Sequence, residues 1–160
     1  MNAIDMINSA VAYFAAAAVL ALLFSFHKIL SGWIAGIGGA LGSLMTLAAG
    51  GVVLLGGQST EAVMPLIRHS VEITPLNAIW LVTFGLCGLF VSLFNIDWHR
   101  HQHTRANGLL VNLLMATAVC TVIASNLGAL VVMAEIMALC GAFLTGCAQS
   151  GKLWFALGRF

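Results

Sequence analysis

Long stretches without a charged side chain restrict the possible folds of this chain more than any other feature. Residues 6–27, 29–60, 73–96 and 106–134 contain no Asp, Glu, Lys or Arg, and the next such residue after Glu135 is Lys152. About 20 consecutive apolar residues are enough for a helix to cross the hydrocarbon of a bilayer. Each of these stretches is therefore long enough for a transmembrane helix.

The composition excludes an ordinary soluble domain. Hydrophobic residues make up 61% of the chain and charged residues 7%, whereas about 25% of the residues in a globular domain are charged. A net charge of +1 also excludes a strongly basic nucleic-acid-binding protein. The cysteines lie in apolar stretches without a C-x-x-C pair, which indicates reduced packing residues and neither a disulfide framework nor a metal centre. They are Cys87, Cys120, Cys140 and Cys147.

These patterns predict an all-α polytopic membrane protein with a single membrane domain over residues 1–160. We expect a bundle of five transmembrane helices at about 6–27, 33–56, 77–96, 109–125 and 127–147, and the start of a sixth from 153. The residues after Lys152 are too few to cross about 30 Å of hydrocarbon. The sequence is therefore expected to be a fragment or a truncated reading frame.

The second apolar stretch is rich in glycine. Gly32 and Gly36, and likewise Gly38 and Gly42, have the G-x-x-x-G spacing that allows two helix backbones to approach closely in lipid. The alternative is a flexible, poorly helical segment, because each glycine costs a helix about 1 kcal/mol relative to alanine.

Two connections between predicted helices contain patterns that are typical of strands or turns. Residues 58–77 hold both prolines and several charges, and H-S-V-E-I-T at 69–74 alternates polar and apolar residues. This alternation predicts an extended or hairpin segment that lies on the membrane face. Ser125 and Asn126, placed before Gly128, predict a tight turn with an N-cap for the fifth helix.

The positively charged residues indicate the orientation in the membrane. In a five-helix alternation, one side holds four of them and the other side holds Arg68 alone. The four are Lys28, Arg100, Arg105 and Lys152. The side with more Lys and Arg is cytoplasmic by the positive-inside rule, which places the N-terminus outside.

Glu135 is the residue that most strongly indicates a function. It is the one formal charge between Arg105 and Lys152 and lies near the middle of the predicted fifth helix. An ionisable residue at the centre of a spanning helix costs about 2.5–3.5 kcal/mol on insertion scales, and such residues usually line ion or proton paths. The helical repeat predicts that a face of mostly small residues packs into the bundle and that a bulky face turns towards lipid. The small face comprises Gly128, Glu135, Ala138, Ala142 and Thr145, and the bulky face comprises Leu130, Met133, Met137 and Leu144.

Burial of Glu135 would let it exchange protons. Loss of water favours the neutral carboxylic acid, whereas a nearby cation favours the carboxylate. The candidate cations are Arg159, if the sixth helix packs against the fifth, and Lys152 at the mouth of that helix. His27 and Lys28 are interpreted as interfacial anchors. The structural alternative is a protonated Glu135 that hydrogen-bonds to a neighbouring helix and only holds the bundle together.

A histidine-rich segment follows the predicted third helix. His99, His101 and His103 alternate beside Asp97. On a strand the three imidazoles would share a face and could bind a metal ion, whereas histidines in a surface loop are more commonly part of a docking surface. We expect no metal here and a docking surface for a cytoplasmic partner. Its residues are His99, Arg100, His101, His103 and Arg105.

No motif of a soluble enzyme is present. The sequence lacks a phosphate-binding loop, a dinucleotide fingerprint, a nucleophile elbow and a cysteine array. We therefore expect no catalytic residue and no cofactor in this chain, and any redox chemistry that it serves is expected in partner proteins.

Four segments together resemble a known family. They are SGWIAGIGGALGSL at 31–44, PLNAIWLVTFGLCGLFVSLFNIDWHRH at 75–101, NLGALVVMAEIMALC at 126–140 and GKLWFALGR at 151–159. Over essentially the whole chain they are similar to the start of the antiporter-like, proton-translocating membrane subunits that formate hydrogenlyase and hydrogenase-4 share with respiratory complex I. The resemblance implies the first part of an antiporter-like inverted-repeat fold.

The resemblance also implies roles for individual residues. In the family, a glutamate within V-x-x-x-E-x-M-x-L of the fifth helix is the proton-path acid, and Glu135 in VVMAEIMAL matches it. A basic pattern K-x-x-x-x-x-x-R that begins the sixth helix is matched by Lys152 and Arg159. The lysine that works with this glutamate lies farther along the family's sequence than this chain extends. We therefore expect half of a proton path, inactive alone.

The function implied by the resemblance is a proton-conducting subunit of a membrane-bound, hydrogen-evolving formate hydrogenlyase complex. It would lie in the bacterial inner membrane with a periplasmic N-terminus and would contact other membrane and cytoplasmic subunits. Nickel–iron and iron–sulfur centres are then expected in those partners. The alternative is a membrane anchor that docks the soluble hydrogenase arm and moves no ions, and a third interpretation is a small autonomous cation/proton antiporter.

Overall fold

The computed structural model describes residues 2–56, 60–64, 69–101 and 106–148. Within these ranges the order of elements is α1 (Ala3–Leu23), α2 (Lys28–Gly56), β1 (Thr60–Met64), β2 (His69–Ile73), α3 (Pro75–His101), α4 (Asn107–Val122) and α5 (Leu127–Ala148). The described chain is thus almost entirely helical, as predicted. The predicted sixth helix from 153 lies outside the described residues.

Within the described ranges, four helices are long and apolar enough to span a membrane. They are Ala3–Leu23, Ile29–Gly56, Pro75–Asp97 and Leu127–Gly146. α4 has 16 residues, which at 1.5 Å per residue extend over about 24 Å, less than the hydrocarbon thickness of about 30 Å. The chain is therefore a membrane protein whose described part has four candidate spans, and the predicted helix at 109–125 is shorter than a full span.

The ends of α1 and α2 differ from the predicted ones for local reasons. The backbone N–H of Asn2 donates to Asp5 Oδ2 at 3.3 Å, so the acid that precedes the apolar stretch forms part of a capping box and the helix begins at Ala3. α1 ends at Leu23, before a turn, whereas the prediction extended it to residue 27. α2 begins at Lys28 and not at 33.

The glycines of α2 fit against both neighbouring helices. A Cβ on Gly42 would lie 2.8 Å from the ring of Phe14 in α1, and a Cβ on Gly50 would lie 2.9 Å from the carbonyl oxygen of Ala78 in α3. The close-approach interpretation is confirmed, and the alternative of a poorly helical segment is wrong. Close packing on two sides compensates for the low helix propensity of glycine.

The hairpin of β1 and β2 closes one end of the bundle. Val71 and Ile73 are almost fully buried in the main apolar core. The backbone N–H of Glu72 donates to the carbonyl oxygen of Ile123 at 3.1 Å, and Val71 forms an isolated antiparallel bridge with Ala124. The hairpin predicted from the alternation at 69–74 is confirmed. These contacts also explain why α4 ends at Val122, because the next residues pair with the hairpin.

α3 is longer than the predicted 77–96 at both ends. Thr74 Oγ1 accepts a hydrogen bond from the backbone N–H of Asn77 at 3.2 Å, and Pro75 occupies the first helical position, which fixes the start. At the other end the helix continues past Asp97 to His101. The charge at 97 ends the apolar stretch without ending the helix, because backbone hydrogen bonds within a helix do not depend on side-chain polarity.

The helices alternate in direction as predicted. α2 ends and α3 begins at the hairpin, and α5 begins beside it after Ala124. Lys28 at the start of α2 and Arg100 near the end of α3 therefore lie at the opposite end of the bundle.

Candidate functional site

Glu135 lies on the one long face of α5 that no described element covers. Its side chain is exposed, and among the described residues it has no hydrogen-bond or ion-pair partner. The exposed residues that surround it in the helical repeat are almost all apolar. They are Leu127, Gly128, Val131, Val132, Ala138, Leu139 and Phe143.

The opposite face of α5 packs onto the bundle. Ala129 and Cys140 are 6% and 3% exposed, and Met133 packs against the core cluster that includes Ala116 and Val119 of α4. The predicted orientation of α5 is therefore wrong for the described chain, since the small face with Glu135 points outward. The reason is that α4 presents small buried residues, which leave room for the larger side chains of α5.

The start of α5 is fixed by Asn126. Its Oδ1 accepts a hydrogen bond from the backbone N–H of Ala129 at 2.7 Å, and its carbonyl oxygen accepts from the N–H of Leu130 at 3.1 Å. The N-cap predicted at this turn is confirmed. Nine residues separate Asn126 from Glu135, so the carboxyl group lies about 13 Å along the helix from the end of the bundle closed by the hairpin.

Two basic residues are predicted to act with Glu135. Lys152 and Arg159 lie outside the described residues, so their pairing with Glu135 stays a prediction. Proton exchange by Glu135 therefore depends on what covers the exposed face of α5. The apolar neighbours of Glu135 supply neither a proton donor nor a proton acceptor.

The predicted docking surface falls partly within α3. His99, Arg100 and His101 occupy its last turn, whereas His103 and Arg105 lie outside the described residues. The strand geometry that would have aligned the imidazoles is wrong for His99 and His101, because both are helical positions. The role of this segment in docking stays a prediction.

The sequence interpretation missed a set of buried polar residues where α2, α3 and α4 meet. Each member is 6% exposed or less: Ser43, Ser92, Asn95, Asn107 and Asn112. Asn107 Nδ2 donates to Asn95 Oδ1 at 3.1 Å, which links the end of α3 to the start of α4. Helical spacing could have indicated only part of the set, since Ser92 and Asn95 lie about 60° apart around α3 whereas Asn107 and Asn112 lie about 140° apart around α4.

The chain is similar to a subunit of formate hydrogenlyase. It is 67% identical over 159 residues, 99% of its length, to formate hydrogenlyase subunit 3 of Escherichia coli (strain K12). The resemblance of the four sequence segments to the start of a formate hydrogenlyase subunit is thereby confirmed. The chain spans 26% of the length of that relative, which is consistent with its first portion, and no protein-family profile matches it.

Proposed function

We propose that this chain forms part of a proton-conducting, antiporter-like subunit of a membrane-bound formate hydrogenlyase complex. The subunit would couple electron transfer in its partners to proton movement across the inner membrane. The observation that carries the proposal is the placement of Glu135 in the middle of a spanning helix, in a chain 67% identical to formate hydrogenlyase subunit 3.

The exposed position of Glu135 supports a contact with further protein or with water in the complete subunit. An ionised side chain at the centre of a helix costs about 2.5–3.5 kcal/mol on insertion scales when it meets lipid. The exposed face of α5 offers no described partner to offset this cost. In the complete subunit this face therefore packs against further protein or borders a water-filled path, and Glu135 exchanges protons there.

The basic residues of the proposed path are Lys152 and Arg159. A cation close to Glu135 favours its carboxylate form, and movement or neutralisation of that cation favours the protonated form. Such alternation would let Glu135 take up and release protons during turnover.

The partners and location follow from the same proposal. The nickel–iron and iron–sulfur centres belong to other subunits, and the segment that includes His99, Arg100, His101, His103 and Arg105 faces them on the cytoplasmic side. Lys28 and Arg100 lie at the bundle end opposite the hairpin, which supports a cytoplasmic location for that end and a periplasmic N-terminus.

Glu135→Gln in the full-length subunit tests the proposal. Glutamine keeps the shape and most of the hydrogen-bonding capacity of the side chain but cannot exchange a proton at neutral pH. In inverted membrane vesicles that contain the assembled complex, we expect formate-driven proton uptake to be largely lost. A pH-sensitive dye measures the uptake, and hydrogen evolution is recorded in the same sample.

Glu72→Gln is the matched control, because Glu72 lies in β2 outside the spanning helices. It should leave proton uptake per hydrogen evolved unchanged. If an assembled Glu135→Gln complex moves protons as well as the unaltered complex, the chain is a membrane anchor and the proposal is wrong.

A further inference from the structure

A buried polar seam lies at the junction of α2, α3 and α4, and we define it by Gly39, Ser43, Ser92 and Asn112. The three polar side chains are 2% exposed or less. A Cβ on Gly39 would lie 2.6 Å from Ser92 Oγ and 3.1 Å from Asn112 Oδ1. The oxygens of α3 and α4 therefore face the same point above the backbone of α2.

The orientation of the Asn112 amide is fixed by its partners. Its Nδ2 donates to the carbonyl oxygens of Ala35 at 3.2 Å and Gly108 at 2.9 Å. Carbonyl oxygens only accept hydrogen bonds, so the amide cannot be rotated to exchange its nitrogen and oxygen. Asn112 Oδ1 must therefore point into the seam.

Two polar atoms of the seam have no partner among the described residues: Ser43 Oγ and Asn112 Oδ1. Leaving a buried donor or acceptor unsatisfied costs about 1–3 kcal/mol. Other hydroxyls of these helices avoid this cost by bonding to their own backbone. Thr46 Oγ1 donates to the carbonyl oxygen of Gly42 at 2.9 Å, and Thr117 Oγ1 donates to that of Leu113 at 2.9 Å.

We propose that the seam binds at least one ordered water molecule, which accepts a hydrogen bond from Ser43 Oγ and donates one to Asn112 Oδ1. A buried water typically makes about three hydrogen bonds to otherwise unsatisfied groups, and Ser92 Oγ is placed to supply another. The three side chains are neutral hydroxyl and amide groups. They suit a neutral water molecule, which can both accept and donate hydrogen bonds.

Different contacts border the seam towards the two ends of the bundle. Towards the α3–α4 connection, the Asn107–Asn95 hydrogen bond continues the polar line. Towards the hairpin, a Cβ on Gly85 would lie 2.7 Å from the backbone nitrogen of Leu47, which leaves no space between α2 and α3.

Met115 provides a probe within the site. Its Sδ would lie 3.6 Å from a Cβ on Gly88, a point that Ser43 Oγ also approaches closely. Hydroxyl radicals produced by X-ray radiolysis of bound water oxidise neighbouring thioethers. In the full-length protein in lipid nanodiscs, we expect Met115 to be oxidised several-fold faster than Met45, another partly buried methionine packed against the core.

Ser43→Ala removes the proposed water ligand with little change in volume and should reduce the oxidation of Met115 several-fold. Thr46→Ala is the matched control, since its hydroxyl is already bonded to its own helix, and should leave that oxidation unchanged. Equal oxidation of Met115 and Met45, or no effect of Ser43→Ala, would overturn the proposal. A high-resolution cryo-EM map with no density between Ser43 and Asn112 would overturn it as well.

Discussion

The α2–α3 pair and α5 place their polar groups differently. The buried share of the spanning stretch is 39% in α2 and 28% in α3, whereas it is 11% in α5. The polar groups of α2 and α3 lie inside the bundle between glycines, while the one acid of α5 lies outside on an apolar face. The difference indicates that α1–α4 share one core, whereas α5 keeps a face for another neighbour.

The α2–α3 pair differs from α5 in the close contact between its two helix backbones. A Cβ on Gly85 would lie 2.7 Å from the nitrogen and 2.9 Å from the Cα of Leu47. Backbone atoms cannot move aside as the end of a flexible side chain can, so any side chain at 85 must push α2 and α3 apart.

Gly85→Leu is therefore expected to have the largest effect. Overpacking of this kind costs about 3 kcal/mol or more, enough to prevent recovery of folded protein. Thermal unfolding in detergent, followed by fluorescence-detected size exclusion, measures the loss. Gly51→Leu is the control, because a Cβ at Gly51 meets nothing within 4 Å. A similar loss for both variants would show that the contact is not the cause.

Most helices could be predicted from the sequence, because charged residues bound the apolar stretches and turn residues mark the connections between helices. The uncharged stretches located the spanning helices, and Asn126 marked the start of α5. Ends were missed where a charged residue stays helical, as at Asp97, or where a residue before the apolar stretch caps the helix, as at Asp5.

The faces of α5 could not be assigned from its own sequence. Small residues on a helix favour close packing, but which face packs depends on the shape that the neighbour offers. Here α4 offers small residues, so Met133 fills the space and Glu135 turns away. The buried polar seam was missed for a related reason, since it is formed by three helices that contribute one or two polar groups each.

Glu135→Leu tests the difference between α5 and the α2–α3 pair, because it measures the free energy that the acid adds to insertion of α5 into lipid. In a translocon-insertion assay of residues 127–148, the apparent insertion free energy should become more favourable by about 3 kcal/mol. Ala138→Leu on the same exposed face should change it by only about 0.5 kcal/mol. If Glu135→Leu gained no more than Ala138→Leu, lipid alone could accommodate Glu135, and the need for a covering partner would disappear.

The cap of α5 gives the smallest expected effect. Asn126→Ala removes the hydrogen bond from the Ala129 N–H to Oδ1, which leaves a helix N-terminal donor unsatisfied and should lower stability by about 1 kcal/mol. Asn126→Asp keeps a side-chain acceptor at the same position and should retain most of that stability. Thermal unfolding of the two variants in the same detergent makes the comparison. Because α5 has few buried residues to hold it, loss of its cap should loosen this helix before α1–α4. Simultaneous loosening would mean that α5 is an integral part of their packing.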